Sequence, residues 1–385
     1  MIIKNAKIFT GGKFIEGNIE FGKTIERIEA PAESIDPASA SSASAFDSSE
    51  AFDAAGAYLI PGLIDVHTHG AKNADASDGD LEGLKEMARY YASNGVTSWC
   101  PTTMTLKEPA LTKAVKAIAE YESQRDSGAK VAGIHLEGPF ISKEKCGAQN
   151  PDNLALPDIE MVNRLNEASG NLIRIITMAP ELPGSPEFIE KAGKFASVSV
   201  GHTTANYETA MAAYDAGANH ATHLYNAMPP LAHRDPGVIG ASFDGNAYVE
   251  LITDGFHIDP AVIRMTSKLF GERLVLISDS LRCAGMPDGD YELGGQMITM
   301  TDGKAYVSGT TTIAGSSISL MEGLRRAVSY GLSLEDAVTA ATLTPAKSIG
   351  LDKEIGSIDI GKAADLVLLD QDLNILKVYI DGNPV

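Results

Sequence analysis

The sequence predicts an α/β protein in which a (β/α)8 TIM-like barrel is joined to a small β-sandwich domain built from both chain termini. Three observations support this fold class: eight apolar strand-like runs, helical stretches between those runs, and strand-like patterns at both ends of the chain. The length of 385 residues fits a barrel of about 250 residues with additions. We expect the β domain to comprise residues 1–58 and 350–385, and the catalytic barrel to comprise residues 59–349.

The eight strand-like runs lie within about 220 residues and are apolar almost throughout. Strands of a parallel barrel are buried on both faces, so continuous apolar runs are typical of them. A doubly wound open sheet is the alternative reading of the same alternation. The runs are LIPGLIDVHTH (59–69), GVTSWCPTT (95–103), VAGIHLEGPF (131–140), LIRIITMAPE (172–181), ASVSVGHTT (196–204), HATHLYNAM (220–228), AYVELITDGFH (247–257) and RLVLISDS (273–280).

The two ends of the chain contain short strand-like pieces that need partners elsewhere. Residues 1–29 alternate such pieces with glycine turns, and the clusters DLVLLD and LKVYIDG lie near the other end. The Ser- and Ala-rich stretch at 34–56 is too polar and small to pack, so we expect an exposed or mobile loop and assign it no function. After the eighth run, apolar residues at helical spacing predict helices, one of them starting at Ser333 with Glu335 in its first turn.

Composition and charge narrow the possible partners. Hydrophobic residues make up 44% and charged residues 21% of the chain, which is typical of a globular protein. The formal charge of −20 disfavours nucleic acids and anionic membranes, so an anionic ligand must meet a local cationic pocket. No 18-residue apolar run or secretory pattern is visible, and we expect a cytoplasmic location. Three cysteines without a C-x-x-C pair (Cys100, Cys146 and Cys283) are expected to be free thiols.

Ionisable residues lie at or near the carboxyl ends of six of the eight runs. A barrel gathers such residues at the carboxyl ends of its strands, so residues distant in sequence would meet in space. Residues i and i+2 of a strand face the same side, which lets His67 and His69 reach one ion. Imidazole and carboxylate ligands suit an open, catalytic zinc, iron or manganese site. The residues at the ends of the runs are His67, His69, Glu137, His202, His223, His257 and Asp279.

Each of these residues also has a reading without a metal. His67 and His69 could be an exposed pair, and His202 and His223 could be core histidines. Glu137 and Asp279 resist such a reading, because a buried unpaired carboxylate is costly. We leave His135 and His220 outside the site. His135 has the same strand parity as Glu137 and could face the barrel interior, whereas we expect His220 to support packing.

The motifs PGLIDVHTHG, HLEGPF, GHTTANYETA, THLYNAMPPLAHRDPG, TDGFH and SDS are similar to those of the amidohydrolase superfamily. Within it the chain resembles the family of N-acetylglucosamine-6-phosphate deacetylases over nearly its whole length. The first motif indicates only the superfamily, whereas HLEGPF and THLYNAMPPLAHRDPG are more specific. The resemblance implies hydrolysis of the acetamide of N-acetylglucosamine 6-phosphate, giving glucosamine 6-phosphate and acetate.

The resemblance also implies a role for each matching residue. Glu137, His202 and His223 would hold a divalent metal, and Asp279 would be the catalytic carboxylate. His67 and His69 would hold a second ion, with Glu137 bridging and Asp279 joining the coordination. The family is commonly a homodimer, in which Arg234 would bind the phosphate in the neighbouring active site. The implied substrate contacts are Ala148, Gln149, Asn226, Ala227, Arg234, His257, Ile313, Ala314 and Gly315.

Two departures from the family pattern bear on activity. Many members have histidine at the position of Gln149, and an amide can donate a hydrogen bond there but cannot carry charge. The sequence SDSLRCAGM replaces the more usual Thr-Asp-Ala around Asp279, while the aspartate itself is kept.

Two rival functions remain at this point. Another amidohydrolase, acting on a cyclic amide or an N-acyl amino acid, often has a carbamylated lysine on the fourth strand, and LIRIITMAPE has no lysine. A metal-free binding protein would be expected to lose ligands, whereas every acidic and imidazole position is filled here. The sequence does not name the metal, its number per subunit, or the tolerance for other N-acetylated amino-sugar phosphates.

Overall fold

The structure is a computed structural model that describes residues 1–30 and 51–385. The strands are β1 (Ile2–Thr10), β2 (Lys13–Phe21), β3 (Ile25–Glu29), β4 (Ala51–Asp53), β5 (Tyr58–Pro61), β6 (Leu63–Thr68), β7 (Gly70–Ala71), β8 (Ala74–Asp75), β9 (Val96–Thr103), β10 (Lys130–Val131), β11 (Ile134–Glu137), β12 (Ile173–Met178), β13 (Ser197–Val200), β14 (His220–Ala221), β15 (Tyr248–Ile252), β16 (Leu274–Ile277), β17 (Gly289–Leu293), β18 (Gln296–Thr301), β19 (Lys304–Val307), β20 (Leu366–Leu369), β21 (Ile375–Ile380) and β22 (Asn383–Pro384). The helices are α1 (Leu81–Ser93), α2 (Glu108–Ser123), α3 (Ile159–Ala168), α4 (Ser185–Ala192), α5 (Tyr207–Asp215), α6 (Gly237–Asp244), α7 (Pro260–Phe270), α8 (Leu320–Ser329), α9 (Leu334–Ala341) and α10 (Leu343–Ser348).

The barrel is formed by eight parallel strands, and each of the eight apolar runs contributes one of them. Strands β6, β9 and β11 to β16 pair in chain order, with the short β10 also paired to β9. The first and last strands meet beyond their ladders, where Asp279 N donates to His67 O and His69 N donates to Ser280 O, each at 2.9 Å. The predicted barrel is therefore confirmed, and the open-sheet alternative is wrong.

The two ends of the chain form a separate, mostly antiparallel sheet, as predicted. Its strand order is β22, β21, β20, β5, β1, β2, β3, with β4 beside β1. The chain passes from this sheet into the barrel at Gly62, between β5 and β6. A Cβ atom at Gly62 would lie 2.1 Å from the Thr97 Oγ1, so only glycine fits this crossing without a shift. The domain boundaries at residues 58/59 and 349/350 stay a prediction.

Details around the barrel differ in part from the expectations. Helix α9 begins where predicted, because the Ser333 side chain accepts a hydrogen bond from Asp336 N. Residues 34–50 of the Ser- and Ala-rich stretch lie outside the described residues, but Ala51–Asp53 forms β4, paired in parallel with β1, so the expectation of a loop is wrong there. The antiparallel sheet of β17 to β19 was not predicted. Across residues 1–30 and 51–385, none of the helices has both the length and the apolar character needed to cross a bilayer.

An ion-pair cluster joins the barrel to the terminal sheet. The Lys130 Nζ on β10 lies 2.7 Å from Asp365 Oδ2 and 2.8 Å from Asp381 Oδ1, beside β20 and β21. The Asp365 side chain is only 5% exposed, so it depends on this partner.

We expect Lys130→Met to lower the free energy of unfolding by about 3 kcal/mol, because Asp365 would be left as a buried, unpaired carboxylate. Urea unfolding followed by circular dichroism measures the change. The exposed pair of Lys85 with Glu82 provides the control, since Lys85→Met should change stability by less than about 1 kcal/mol. Adding Asp365→Asn to Lys130→Met should recover part of the loss. Equal unfolding midpoints for Lys130→Met and the parent would contradict the expectation.

Candidate active site

The residues predicted to bind metal and to catalyse the reaction lie together at the carboxyl ends of five barrel strands. The barrel geometry brings them together from positions up to 212 residues apart, since parallel strands end at the same rim. All of them are buried. The residues and their strands are His67 and His69 (β6 and just after it), Glu137 (β11), His202 (after β13), His223 (after β14) and Asp279 (after β16).

Glu137, His202 and His223 form what we call the first ligand group. The Glu137 Oε1 lies 3.1 Å from His202 Nε2 and 3.0 Å from His223 Nε2. The two imidazole Nε2 atoms are 3.1 Å apart. Two such nitrogens and an oxygen facing one point are typical of ligands that share an ion.

His67, His69 and Asp279 form the second ligand group. The Nε2 atoms of His67 and His69 are 3.3 Å apart, and Asp279 Oδ1 lies 3.6 Å and 3.4 Å from them. Glu137 lies between the two groups, because its Oε2 is 3.1 Å from His69 Nε2 while its Oε1 faces the first group. The arrangement offers places for two ions with Glu137 between them.

The hydrogen bonds made by the histidine Nδ1 atoms explain why the Nε2 atoms of the same rings can bind metal. A neutral imidazole that donates its Nδ1 hydrogen to an acceptor leaves a lone pair on Nε2 for an ion. Such an arrangement fits a metal centre better than a cluster of ordinary hydrogen bonds. Three imidazoles of the two groups have an acceptor at Nδ1: Glu250 Oε2 for His67 at 2.8 Å, Thr102 O for His69 at 3.1 Å, and Lys145 O for His202 at 2.8 Å.

The backbone turns sharply where three of these side chains enter the site. His202, His223 and Asp279 have φ values of 46°, 29° and 47°, in the left-handed region that non-glycine residues rarely adopt. Each lies two residues after the end of its strand. Such positions persist only where the surroundings enforce them and are concentrated at functional sites.

Mutual attraction keeps the carboxylates of the site ionised. Burial alone would raise the pKa of Glu137, but His67 and His202 hold it well below its usual range. Burial would likewise raise the pKa of Asp279, while His67 and His69 lower it. Burial would lower the pKa of His69, yet Asp279 and Glu137 raise it to about 10. The carboxylates are therefore held ionised by charged imidazoles, and a cation that binds here would displace protons from those rings.

A cavity of about 380 Å³ opens beside both ligand groups, a size suited to a small ligand. Two predicted substrate contacts lie outside its lining: Ala314 is buried, with its N donating to Ala305 O, and Arg234 is exposed and contacts His233. Thr311, Thr312 and Lys145, which the sequence did not single out, also line it. The predicted substrate contacts in the lining are Ala148, Gln149, Asn226, Ala227, His257, Ile313 and Gly315.

Two side chains in the cavity are held in one orientation. Gln149 Oε1 accepts from Thr105 N at 2.7 Å, and Gln149 Nε2 donates to Glu137 Oε2 at 2.5 Å. The amide group therefore turns its nitrogen towards the ligand groups. His257 Nδ1 lies 2.7 Å from the Asp254 Oδ2, which leaves His257 Nε2 as the acceptor for a ligand hydroxyl.

The sequence reasoning missed Glu250, which lies on β15 with no exposed surface. A signal was available, because a carboxylate inside the apolar run AYVELITDGFH raises the same objection to burial as Glu137. The two histidines set aside are both fully buried. His135 Nε2 lies 2.7 Å from Thr177 Oγ1, and burial with the nearby His67 lowers the pKa of His135 to about 3. His220 Nε2 lies 3.3 Å from Glu250 Oε1.

Comparisons with known proteins show the family of the chain. Residues 58–385 match the model of the amidohydrolase family. The chain is 37% identical to N-acetylglucosamine-6-phosphate deacetylase of Bacillus subtilis, over 84% of each chain. It is 36% identical to N-acetylgalactosamine-6-phosphate deacetylase of Escherichia coli, over 84% of this chain and 86% of that one. A variant of N-acetyl-D-glucosamine-6-phosphate deacetylase from Mycobacterium smegmatis, solved in complex with N-acetyl-D-glucosamine-6-phosphate, matches with a TM-score of 0.90 and 32% identity over 100% of this chain and 98% of that one.

Proposed function

The chain belongs to the amidohydrolase family of metal-dependent hydrolases, and we propose that it hydrolyses the acetamide of N-acetylglucosamine 6-phosphate to glucosamine 6-phosphate and acetate. One observation carries the proposal: two ligand groups joined by Glu137 adjoin a cavity of about 380 Å³. An acetate-release assay tests it, with N-acetylglucosamine 6-phosphate as substrate. Absence of acetate from metal-loaded protein would overturn it.

The metal requirement follows from the donor set. We assign the first ion to Glu137, His202 and His223 and a second to His67, His69 and Asp279, with zinc, iron and manganese all compatible with these ligands. A divalent ion held there lowers the pKa of a water molecule and polarises a carbonyl group.

Asp279 is our candidate for the proton carrier. Its carboxylate lines the cavity and its pKa is depressed, so it is ionised and ready to accept a proton. Asp279 would take the proton from the attacking water and return it to the amine nitrogen on carbon 2 of the sugar as the bond from that nitrogen to the acetyl carbon breaks. The fixed Gln149 amide would donate a hydrogen bond to the acetyl oxygen, a weaker aid than the histidine found in many members. We assign hydrogen bonds to the sugar and its phosphate to Asn226, Ala227 and His257.

The 6-phosphate needs a cation, and Arg234 is our candidate for it. The Arg234 side chain is exposed and does not line the cavity of its own chain. We therefore propose a homodimer in which Arg234 reaches the neighbouring active site, where its guanidinium would bind phosphate bidentately.

We expect Arg234→Ala to raise the KM for N-acetylglucosamine 6-phosphate about 10- to 100-fold, because charge-assisted hydrogen bonds to the phosphate would be lost. The slow reaction with unphosphorylated N-acetylglucosamine should not change. Acetate release measured over a range of both substrates checks this. Equal parent rates on the two sugars would remove the role given to Arg234.

Mixing two variants with different defects tests whether Arg234 acts across the dimer. Arg234→Ala and Asp279→Asn would be unfolded and refolded together, since their heterodimer then contains one complete active site. Random pairing should recover about a quarter of the parent activity at low substrate. No recovery would mean that Arg234 acts within its own chain.

The substrate range and the location are further proposals. The similarity to an N-acetylgalactosamine-6-phosphate deacetylase favours N-acetylgalactosamine 6-phosphate as a second substrate to be assayed. A cyclic-amide hydrolase is disfavoured, because β12 lacks the lysine that would bridge two ions and Glu137 lies in the bridging place. We place the reaction in the cytoplasm, a proposal supported by the three free cysteines.

A further inference from the structure

Glu250 lies directly beneath the two ligand groups. Its side chain comes from the middle of β15 and has no exposed surface. Oε2 lies 2.8 Å from His67 Nδ1 and accepts a hydrogen bond from His223 N at 3.1 Å. Oε1 lies 3.3 Å from His220 Nε2. One carboxylate oxygen thus contacts a residue of each ligand group.

A buried carboxylate is costly unless its partners offset the loss of water. An apolar side chain would fill the same place in a barrel strand without that cost, so packing alone does not explain Glu250. An ionised carboxylate has no hydrogen to donate, and the hydrogen it shares with His67 must therefore be on Nδ1. In the neutral ring that metal binding requires, the lone pair is then on the Nε2 of His67, which faces His69 Nε2 and Asp279 Oδ1.

We propose that Glu250 is a positioning residue that turns the second ligand group into a metal site. It holds the His67 ring in the orientation and tautomer that present Nε2 to the second ion. Its Oε2 also fixes the position of the His67 ring relative to the His223 backbone, because it contacts both. The affinity for the second ion depends on whether an oxygen of this side chain lies within hydrogen-bond distance of His67 Nδ1, rather than on the charge of the side chain. The inference rests on the metal assignment of the proposed function, but not on the identity of the substrate.

Two conservative variants separate the effect of the hydrogen bond to His67 from the effect of the negative charge of Glu250. In Glu250→Gln the carbonyl oxygen can replace Oε2, and the amide nitrogen can donate to His220 Nε2, so the contact with His67 is kept and the charge is lost. In Glu250→Asp the charge is kept, but the carboxylate is withdrawn from His67 by one methylene. Both side chains remain polar and no larger than glutamate, which favours folding.

The affinity for each ion is measured by titrating chelator-treated protein with zinc in competition with a chromophoric chelator, and elemental analysis gives the number of ions bound. We expect Glu250→Asp to weaken the second ion about 10- to 100-fold, the usual effect of losing a residue that orients a ligand. Glu250→Gln should change it less than about threefold. The first ion should be affected less in either variant, because His223 contacts Glu250 only through its backbone.

A double-mutant cycle with His67→Ala shows whether the effect passes through His67. In the His67→Ala background, Glu250→Asp should cause no further loss of zinc. The control is Glu122→Asp, which withdraws another carboxylate from its hydrogen-bond partner, Val131 N on β10, away from the ligand groups. Circular dichroism and thermal unfolding establish that each variant is folded.

Three outcomes would overturn the inference: parent-like zinc binding by Glu250→Asp, a larger loss in Glu250→Gln than in Glu250→Asp, or equal weakening of both ions. The zinc titrations do not use the sugar substrate. A parent protein that binds two ions but releases no acetate would contradict the proposed function and leave the role of Glu250 open to the same test.

Discussion

The Asp279→Asn variant will retain the first ion and lose at least about 10³-fold in kcat for acetate release, within the range that general acid–base catalysis contributes. Asparagine has the shape of aspartate but cannot accept the proton of the attacking water. The first ion should stay because Glu137, His202 and His223 are unchanged. Acetate release and elemental analysis on the same preparation measure the two quantities.

The control for this variant is Asp126→Asn, on an exposed loop, which should leave kcat unchanged. Retention of activity by Asp279→Asn would remove Asp279 as the proton carrier. Loss of all metal would instead mean that Asp279 is needed to hold the first ion.

The Glu137→Gln variant will lose both ions and at least about 10³-fold in activity, because several kcal/mol of transition-state stabilisation depend on the metal. Glu137 oxygens lie within 3.1 Å of His69, His202 and His223, so this one carboxylate faces both ligand groups. The amide nitrogen of glutamine cannot bind an ion, and it would also face the Nε2 of Gln149 if placed at Oε2.

Elemental analysis after dialysis against a defined zinc concentration tests the loss of metal, and acetate release tests the loss of activity. Glu120→Gln, on the exposed side of α2, is the matched control and should bind zinc as the parent does. A Glu137→Gln protein that still binds two ions would show that Glu137 does not bridge them.

The barrel was predictable because its strands are buried on both faces and read as continuous apolar runs. The sheet of β17 to β19 is exposed on one face and has weaker patterning, although Gly294-Gly295 and Asp302-Gly303 are typical of hairpin turns. The missed strand β4 is only three residues long, too short for any periodic pattern.

The candidate ligands were predictable because each one ends an apolar run, where a barrel places its chemistry. Glu250 was missed because it lies inside its run, and its role becomes visible only when β6 and β15 face each other across the barrel. The cation for the phosphate is a different case. Arg234 lies outside its own cavity, so neither the sequence nor one chain determines which active site it serves.

The strand order of the terminal sheet has a consequence for synthesis on the ribosome. Strand β5 lies between β1 and β20, so one edge of β5 stays unpaired until residue 369 has been made. On the order of 300 residues separate the two strands, which takes roughly 15 to 60 s at ribosomal speed. During that interval the nascent chain exposes an apolar strand edge, the kind of surface on which chains aggregate and chaperones act.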